Sequence, residues 1–354
     1  MTSKLSKVIV IKIGGSTLGS HDTTIEDIVE LQRQGKPLVV VHGGGKLITD
    51  WLTKQGVSSR FVQGERVTDQ PTLEVVIAVL AGLVNKDIVA AINSRGGRAV
   101  GISGVDGAMI EGQIGDMDKG YVGAVVKVNT GILESLMAAD FVPIVAPVGL
   151  NAHGRPAKAP PTLNFNADVV AGEIAAAIGA ERLIFLTDVA GILDKSGKLL
   201  PHLSPHDAEA LMASGVASGG MIPKIKACLR ALSSTATTCI IDGRQPHALL
   251  RAMGKRSAGT TIKAVLRQPE EIAPMGEAME AVFAPLTSRE TQILNYVASG
   301  NTNKQIAAIL QVSEQTIKNH IGGILRKLNA KDRAHAVVKG VRFLENPFVR
   351  KGKT

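Results

Sequence analysis

Two glycine clusters, Lys12-Ile13-Gly14-Gly15 and His42-Gly43-Gly44-Gly45, are the parts of this chain whose residue types best suit chemistry. Each follows an apolar run of strand character, Val8 to Ile13 in one case and Pro37 to Val41 in the other. Each cluster therefore falls where a strand ends and the chain turns. Glycine has no Cβ, so its amide can approach an anion closely and adopt φ > 0 at little cost. A helix starting near Lys46 adds the positive end of its dipole. Two such turns at one edge of a parallel sheet make a cradle for a phosphoryl group, with Lys12 supplying a charge. The chemistry suggested is phosphoryl transfer without a Walker sequence.

Four further groups carry suitable side chains, and each has a plainer reading. Arg66, in Gly64-Glu65-Arg66-Val67-Thr68-Asp69, can grip a carboxylate with two parallel hydrogen bonds; a surface ion pair is the alternative. Asn164-Phe165-Asn166-Ala167-Asp168 precedes a helical pattern, where Asn166 or Asp168 could simply cap free amides. Thr187-Asp188-Val189-Ala190-Gly191-Ile192 ends a strand in a turn that could meet a nucleotide or be only a turn. Gly219-Gly220-Met221-Ile222-Pro223-Lys224 opens a helix, with Pro223 tolerated in its first turn and Lys224 near its start.

The elements that must position these groups alternate along residues 1 to about 264. Strands are expected at Val8–Ile13, Leu38–Val41, Ala99–Ile102, Val142–Pro147, Leu183–Thr187 and Thr238–Ile241. Alanine-rich helical stretches such as Asp168–Ile178 and Lys224–Leu232 lie between them. That rhythm specifies an α/β fold with a parallel sheet covered on both faces. Ligands bind beyond the carboxyl ends of strands in such sheets, where both glycine turns fall. Pro160-Pro161 interrupts the chain midway and is expected to separate two lobes.

A chain of 354 residues with 45% hydrophobic and 20% charged residues is ordinary for a soluble protein of two or three domains. No apolar run reads as a membrane span and no signal stretch opens the chain, so the cytoplasm, with no membrane partner, is expected. Cys228 and Cys239 match neither a zinc pattern nor a disulfide framework and read as small buried apolar residues. The net charge of +9 is uneven. From Glu280 onward twelve Lys or Arg face five acids, which leaves only +2 for the long first part. A concentrated basic segment invites a polyanion, although a solvated tail has the same composition.

That basic segment has its own grammar. Thr287-Ser288-Arg289-Glu290 fits a capping box for a helix reaching about Ser299. A second helix is expected from about Asn303 to Leu310. Ser313 caps a third, with Ile317, Ile321, Ile324, Leu325 and Leu328 on one face and Lys318, Asn319 and Arg326 opposite. A fourth begins near Asp332. Two helices joined by a short turn, the second amphipathic and basic, describe a helix-turn-helix.

In their joint order the first part's elements resemble the amino acid kinase superfamily, and within it the N-acetylglutamate kinases. The resemblance covers about residues 7 to 264. Its carriers are Lys12 to Gly15, Val41 to Gly45, Gly64 to Asp69, Leu83-Val84-Asn85-Lys86, Asn164 to Asp168, Thr187 to Ile192, Gly219 to Lys224 and Gly259-Thr260. It implies a three-layer αβα sandwich with a mostly parallel central sheet, and transfer of the γ-phosphoryl of ATP to the side-chain carboxylate of N-acetyl-L-glutamate in arginine synthesis. By position, Lys12 and Lys224 would stabilise the moving phosphoryl and Asp168 would hold both lysines. Gly14, Gly15, Gly44 and Gly45 would offer amides. Arg66 and Asn164 would bind acetylglutamate. Asp188, Gly191, Leu193, Ser218 and Met221 would line the ATP site. Mg2+ would ride on the ATP phosphates, with no metal ligands from the protein.

The basic segment resembles the LuxR type of helix-turn-helix, through Leu286 to Glu290, Asn303 to Ala307, Ser313 to His320 and Lys327-Leu328. This implies an all-α four-helix module with Lys318 and Asn319 in the major groove of double-stranded DNA and Lys304 on phosphate. Gly322-Gly323 departs from the pattern, since each glycine should cost a helix about 1 kcal/mol; dimerisation is the other use of such a module. The expected division is a kinase domain at 1–264, a linker at 265–284, the helix-turn-helix at 285–345 and a basic tail at 346–354. Only about seven residues precede the first strand, leaving no room for the N-terminal helix of arginine-inhibited relatives, so a homodimer without that feedback is expected. The alternatives are a carrier-protein-linked aminoadipate or glutamate kinase, and a metabolite-sensing transcriptional regulator on a kinase fold.

Overall fold

The computed structural model describes residues 7–14, 23–62, 64–217, 219–235, 237–254, 259–263, 288–298, 301–310 and 312–327. The chain divides into two compact units, Met1–Leu266 and Arg267–Thr354. Among the described residues of the first unit the strands, in chain order, are β1 (Ile9–Ile13), β2 (Leu38–His42), β3 (Phe61–Val62), β4 (Glu65–Arg66), β5 (Ala99–Ser103), β6 (Ile110–Ile114) and β7 (Val122–Val128). They continue with β8 (Val142–Ala146), β9 (Val148–Asn151), β10 (Thr162–Phe165), β11 (Arg182–Thr187), β12 (His202–Leu203), β13 (Thr237–Asp242) and β14 (Thr260–Ile262).

Eight of them form the main sheet, ordered β12-β14-β13-β11-β1-β2-β8-β5. Pairing is parallel from β13 across to β5. Only at the far edge does β14 run antiparallel to β13. All six strands expected from the sequence lie in this sheet. Apart from β5, half-buried at the sheet edge, their apolar runs are buried on both faces, which is why they carry so clear a signal. Ile9, Ile11 and Ile13 of β1 enter one apolar cluster, and Val10, with Val8 just before the strand, enters the other. Side chains alternate along a strand, so Lys12 shares the face of Val10.

The two faces are covered by different helices. Thr24–Arg33, Gly45–Lys54, the run Gln70–Ser94 and Ala248–Met253 cover the face of Ile11. Ala167–Ile178 and Met221–Ala231 cover the face of Val10 and Lys12. These last two helices pack unusually close. A Cβ on Gly172 would stand only 2.9 Å from the Ala227 Cβ, so glycine is needed there for the helices to meet.

The structure refines three expectations. Pro160-Pro161 lies in the loop between β9 and β10, which pair antiparallel within a small closed barrel of order β10-β7-β6-β9; in the main sheet β1, β2, β5 and β8 precede it and β11 to β14 follow it, on opposite sides of the β1–β11 pairing. Propensity hides that barrel, because its strands carry Gly112, Gly123 and Gly149, and glycine is depleted in strands. Those glycines make room for the Phe165 ring. Second, Gln70–Ser94 is one helical run of 25 residues, and its most apolar window has a mean hydropathy of 2.1. By length and composition it matches a membrane span, contrary to the sequence reading. Charged and polar residues at both ends mask it in the sequence, and Val75, Val76, Val79, Leu80, Val84, Ile88 and Ile92 build the core of the sheet. Third, the first-turn capping role falls to Asn166 alone, whose Oδ1 accepts from the Asp168 and Val169 amides at 2.8 and 3.3 Å.

In the second unit the described helices are Ser288–Ala298, Asn303–Leu310 and Glu314–Lys327. Ile293, Leu294, Val297, Ile306, Ala307, Ile317 and Ile324 form its core. Thr302 and Gln305 make a reciprocal cap for the second helix, and Ser313 caps the third through the Thr316 amide. Thr287, Leu328, the fourth helix near Asp332, the linker and the basic tail lie outside the described residues. The third helix runs unbroken through Gly322 and Gly323. A Cβ on Gly323 would stand 3.2 Å from Glu290 Oε1, and Glu290 is buried and paired with Lys327 Nζ at 2.7 Å. Glycine at 323 thus makes room for an ion pair between the first and third helices; Gly322 has open space beside it.

Candidate active site

β1 and β2 are neighbours in the sheet, so their carboxyl ends put both glycine turns side by side. The turns are stitched together: Gly43 N–H donates to Ile13 C=O at 3.1 Å, and Gly14 N–H to Leu186 C=O at 3.1 Å. Gly44 caps the helix Gly45–Lys54. A Cβ on Gly44 would come within 2.7 Å of Leu80, so this turn is pressed against the long helix.

Beside the turns, two distant lysines meet one carboxylate. Lys12 Nζ lies 2.7 Å from Asp168 Oδ1, an ion pair whose angle is not that of a hydrogen bond. Lys224 Nζ donates to Asp168 Oδ2 at 3.1 Å and to Gly220 C=O at 3.2 Å. Asp168 and Lys224 stand in the first turns of the two closely packed helices. Gly172 is one turn beyond Asp168 and Ala227 one turn beyond Lys224, so the close approach permitted by Gly172 brings the charged groups together. Burial works against an ionised Asp168, but the two ammoniums outweigh it and hold its carboxyl below the usual range. The trio carries a net charge of about +1 in a poorly solvated place, which suits an anion.

A cavity of about 180 Å³ reaches Asn166 and Ala167, the two residues before Asp168, while Lys12, Asp168 and Lys224 are not among its lining residues. Gly44, Gly45, Arg66 and Asn164 all line it, together with Phe165 and Asn166. Arg66 makes no ion pair among the described residues; it is buried, donating to Gly45 C=O at 2.9 Å, Thr49 Oγ1 at 2.7 Å and Ser59 Oγ at 2.5 Å. Phe61 stacks on the guanidinium at 4.7 Å. Asn164 Nδ2 donates to Thr68 Oγ1 at 3.1 Å. Sequence reasoning missed the device that holds the Arg66 hairpin down. Lys119, buried, pairs with Glu65 Oε2 at 2.7 Å, and this bond raises the Lys119 pKa. Nothing in the sequence links residues 65 and 119.

The residues assigned to nucleotide are less gathered. Asp188, Gly191 and Leu193 follow β11, and Met221 opens the helix of Lys224. None of the four lines the cavity of the glycine turns. A larger cavity of about 620 Å³ begins at the residue after Leu193, lined by Asp194, Lys195, Ser196 and Leu211 among others. Gly15 and Ser218 lie outside the described residues. In the second unit Lys304, Lys318 and Asn319 are all exposed, and Lys318 pairs with Glu314 at 3.4 Å.

A parallel sheet whose adjoining strand ends carry two glycine turns, with a lysine pair on one aspartate, defines a class. The chain belongs to the amino acid kinase family, whose model matches residues 7–242. Its curated relatives include an acetylglutamate kinase of Dehalococcoides mccartyi, 50% identical over 255 residues, covering 72% of this chain and 94% of that protein. An acetylglutamate kinase of Cereibacter sphaeroides is 46% identical over 261 residues, covering 72% and 87%. Among solved structures, the smu.665 protein of Streptococcus mutans superposes with a TM-score of 0.63 at 29% identity, covering 73% of this chain and 99% of that one. The N-acetylglutamate synthase of Neisseria gonorrhoeae shares the fold, with a TM-score of 0.64 at 21% identity over 86% and 69% of the two chains. Residues 284–339 match the model of bacterial regulatory proteins, luxR family.

Proposed function

We propose that this chain, with residues 1–264 as its kinase domain, phosphorylates the side-chain carboxylate of N-acetyl-L-glutamate with ATP, giving N-acetyl-L-glutamyl 5-phosphate for arginine synthesis in the cytoplasm. The observation that carries the reading is the shared pairing of Lys12 and Lys224 with buried Asp168 beside a glycine-lined cavity. A carboxylate oxygen bonds to the γ-phosphorus while the bond to the β,γ-bridging oxygen breaks and ADP departs. The acceptor is already ionised at neutral pH, so no general base is required. The reaction needs in-line positioning of two anions and neutralisation of their charge. Lys12 and Lys224 supply the charge, Asp168 fixes both ammoniums, and the amides of Gly15, Gly44 and Gly45 supply donors, whereas the Gly14 amide, expected to do the same, is held by Leu186 C=O. Arg66 and Asn164 hold acetylglutamate, while Asp188, Gly191, Leu193, Ser218 and Met221 hold ATP. Mg2+ carried on ATP would shield its phosphates, and the net positive trio and glycine donors fit such a polyphosphate.

The working form is a homodimer, and residues 285–345 bind double-stranded DNA, with Lys318 and Asn319 at the bases and Lys304 at phosphate. The amphipathic third helix and its exposed basic face support this part. A coupled ADP-release assay with acetylglutamate, glutamate and aminoadipate tests the kinase reading: turnover should require acetylglutamate. Equal or faster turnover with aminoadipate or glutamate would overturn it. Fluorescence anisotropy with genomic fragments at two salt concentrations tests the DNA reading, which fails if no salt-dependent binding appears at low ionic strength.

A further inference from the structure

We infer that His42 is a positioning residue for the phosphoryl-binding turn, aiming the Gly44 N–H by tethering the carbonyl of Gly43, with Asn85 locking the imidazole in the tautomer this requires. The inference rests on the kinase reading and extends it to residues that touch no substrate.

His42 is fully buried at the end of β2, immediately before the turn. Its Nδ1 lies 3.1 Å from the Gly43 carbonyl oxygen. A carbonyl only accepts, so Nδ1 carries the proton. Asn85 Nδ2 lies 3.2 Å from His42 Nε2, and an amide NH2 only donates, so Nε2 is the bare acceptor. The two contacts specify one neutral tautomer. Burial also pushes the imidazole down to about 4, with the Lys12 and Lys86 charges acting in the same direction.

Asn85 is itself fixed from every side. Nδ2 also donates to Ile144 C=O at 2.8 Å, and Oδ1 accepts from Lys86 Nζ at 3.1 Å, which excludes the flipped amide. Lys86 Nζ reaches Gly101 C=O at 3.2 Å. A Cβ on Gly101 would overlap the Asn85 amide, so the strand there must be glycine. Asn85 stands just beyond the seven-residue π-helical segment Ala78–Val84. Leu80 and Val84 of that segment press on Gly44. One wide helical turn thus packs the glycine turn and delivers the amide that orients its histidine.

Peptide planarity converts this tether into aim. The C=O of Gly43 and the N–H of Gly44 belong to one trans peptide and point in opposite directions. Holding the oxygen against the imidazole turns the Gly44 N–H to the far side of that plane. The Gly44 amide makes no hydrogen bond to another described residue. A glycine peptide is otherwise free to flip, and a donor held in place needs no reorganisation at the moment of reaction.

The test compares two polar substitutions of similar size. His42→Asn keeps a donor at the Nδ1 position, able to reach Gly43 C=O. His42→Gln places its amide at the Nε2 position, keeping the link to Asn85 and losing the tether. Turnover per active site, counted by nucleotide-binding stoichiometry, should fall at least tenfold in His42→Gln and stay within about threefold of wild type in His42→Asn. KM for acetylglutamate should move less than threefold in both. Melting temperatures establish that both are folded. If His42→Gln retains half of wild-type kcat, or the asparagine variant is no better than the glutamine one, the inference is wrong. Should His42→Gln not fold, Asn85→Ala carries the test: an at least fivefold loss of kcat is expected, and full turnover overturns the inference. A wild-type chain with no acetylglutamate-dependent turnover overturns the kinase reading and this inference with it. An active wild type beside equally active variants overturns this inference alone.

Discussion

Replacing Asp168 by asparagine should remove the carboxylate that both lysines share while leaving shape almost unchanged. Two ammoniums, at 2.7 and 3.1 Å from the carboxylate, would then face each other without a counterion. The Lys12 side chain is 9% exposed and that of Lys224 is 18% exposed, so water relieves the second more than the first. Breaking one partner from a buried ion pair costs about 3–5 kcal/mol, and the partial access of Lys224 favours about 3. For a domain of this size that is a fall in Tm of roughly 6–12 °C. Saturating nucleotide should recover much of the fall, because its phosphates replace the missing charge. Without the carboxylate the lysines lose their fixed positions, and kcat should drop by about a hundredfold. Scanning calorimetry with and without ATP, alongside the coupled assay, reads all three effects. An apo Tm within 2 °C or so of wild type, or turnover within about threefold, would show that the trio is not the charged centre of this site.

Lys12→Ala and Lys224→Ala should each lower kcat by about a hundredfold with the fold retained, since each removes one charge-stabilising donor; circular dichroism and the coupled assay check this. His42 titrates near 4 in the fold against 6.5 in an unfolded chain. As pH falls through that interval the unfolded chain takes up a proton that the folded one refuses. Stability is therefore full above about 6.5 and declines toward 4, by up to about 3 kcal/mol. Denaturant titrations across this range should show a shallower decline for His42→Asn. Gly322→Ala, at an open position, should stabilise the third helix of the second unit by about 1 kcal/mol, slowing amide exchange there about fivefold in the full chain. Gly323→Ala should gain less, since its methyl meets Glu290. Lys318→Ala should weaken DNA binding and reduce its salt slope by about one.

Six of the eight strands of the main sheet were legible because they are runs rich in valine, isoleucine and leucine; β12 and β14, of two and three residues, were too short to show. The barrel was not legible, because Gly112, Gly123 and Gly149 serve one ring, Phe165, that is distant in the chain. Among the site residues, Gly44, Gly45, Arg66 and Asn164 were expected from the sequence and line one cavity. The reading of Arg66 as a surface ion pair failed on burial, which depends on Thr49 and Ser59 folding over it.

Composition and local pattern, then, determined the alternating α/β order, the glycine turns at strand ends and the separate basic helical module. Those features depend on neighbours a few residues away, and such neighbours are visible in a linear string. No local pattern brings Lys12 and Lys224 to Asp168, a pairing that only the resemblance implied; tertiary structure makes it, and alone decided that Lys119 restrains the hairpin of Arg66 and that Asn85 fixes the ring of His42. Each of those contacts joins residues more than forty positions apart. Each depends on how closely two elements pack, as Gly172 against Ala227 shows, and that spacing is a property of volumes in contact that no local pattern records.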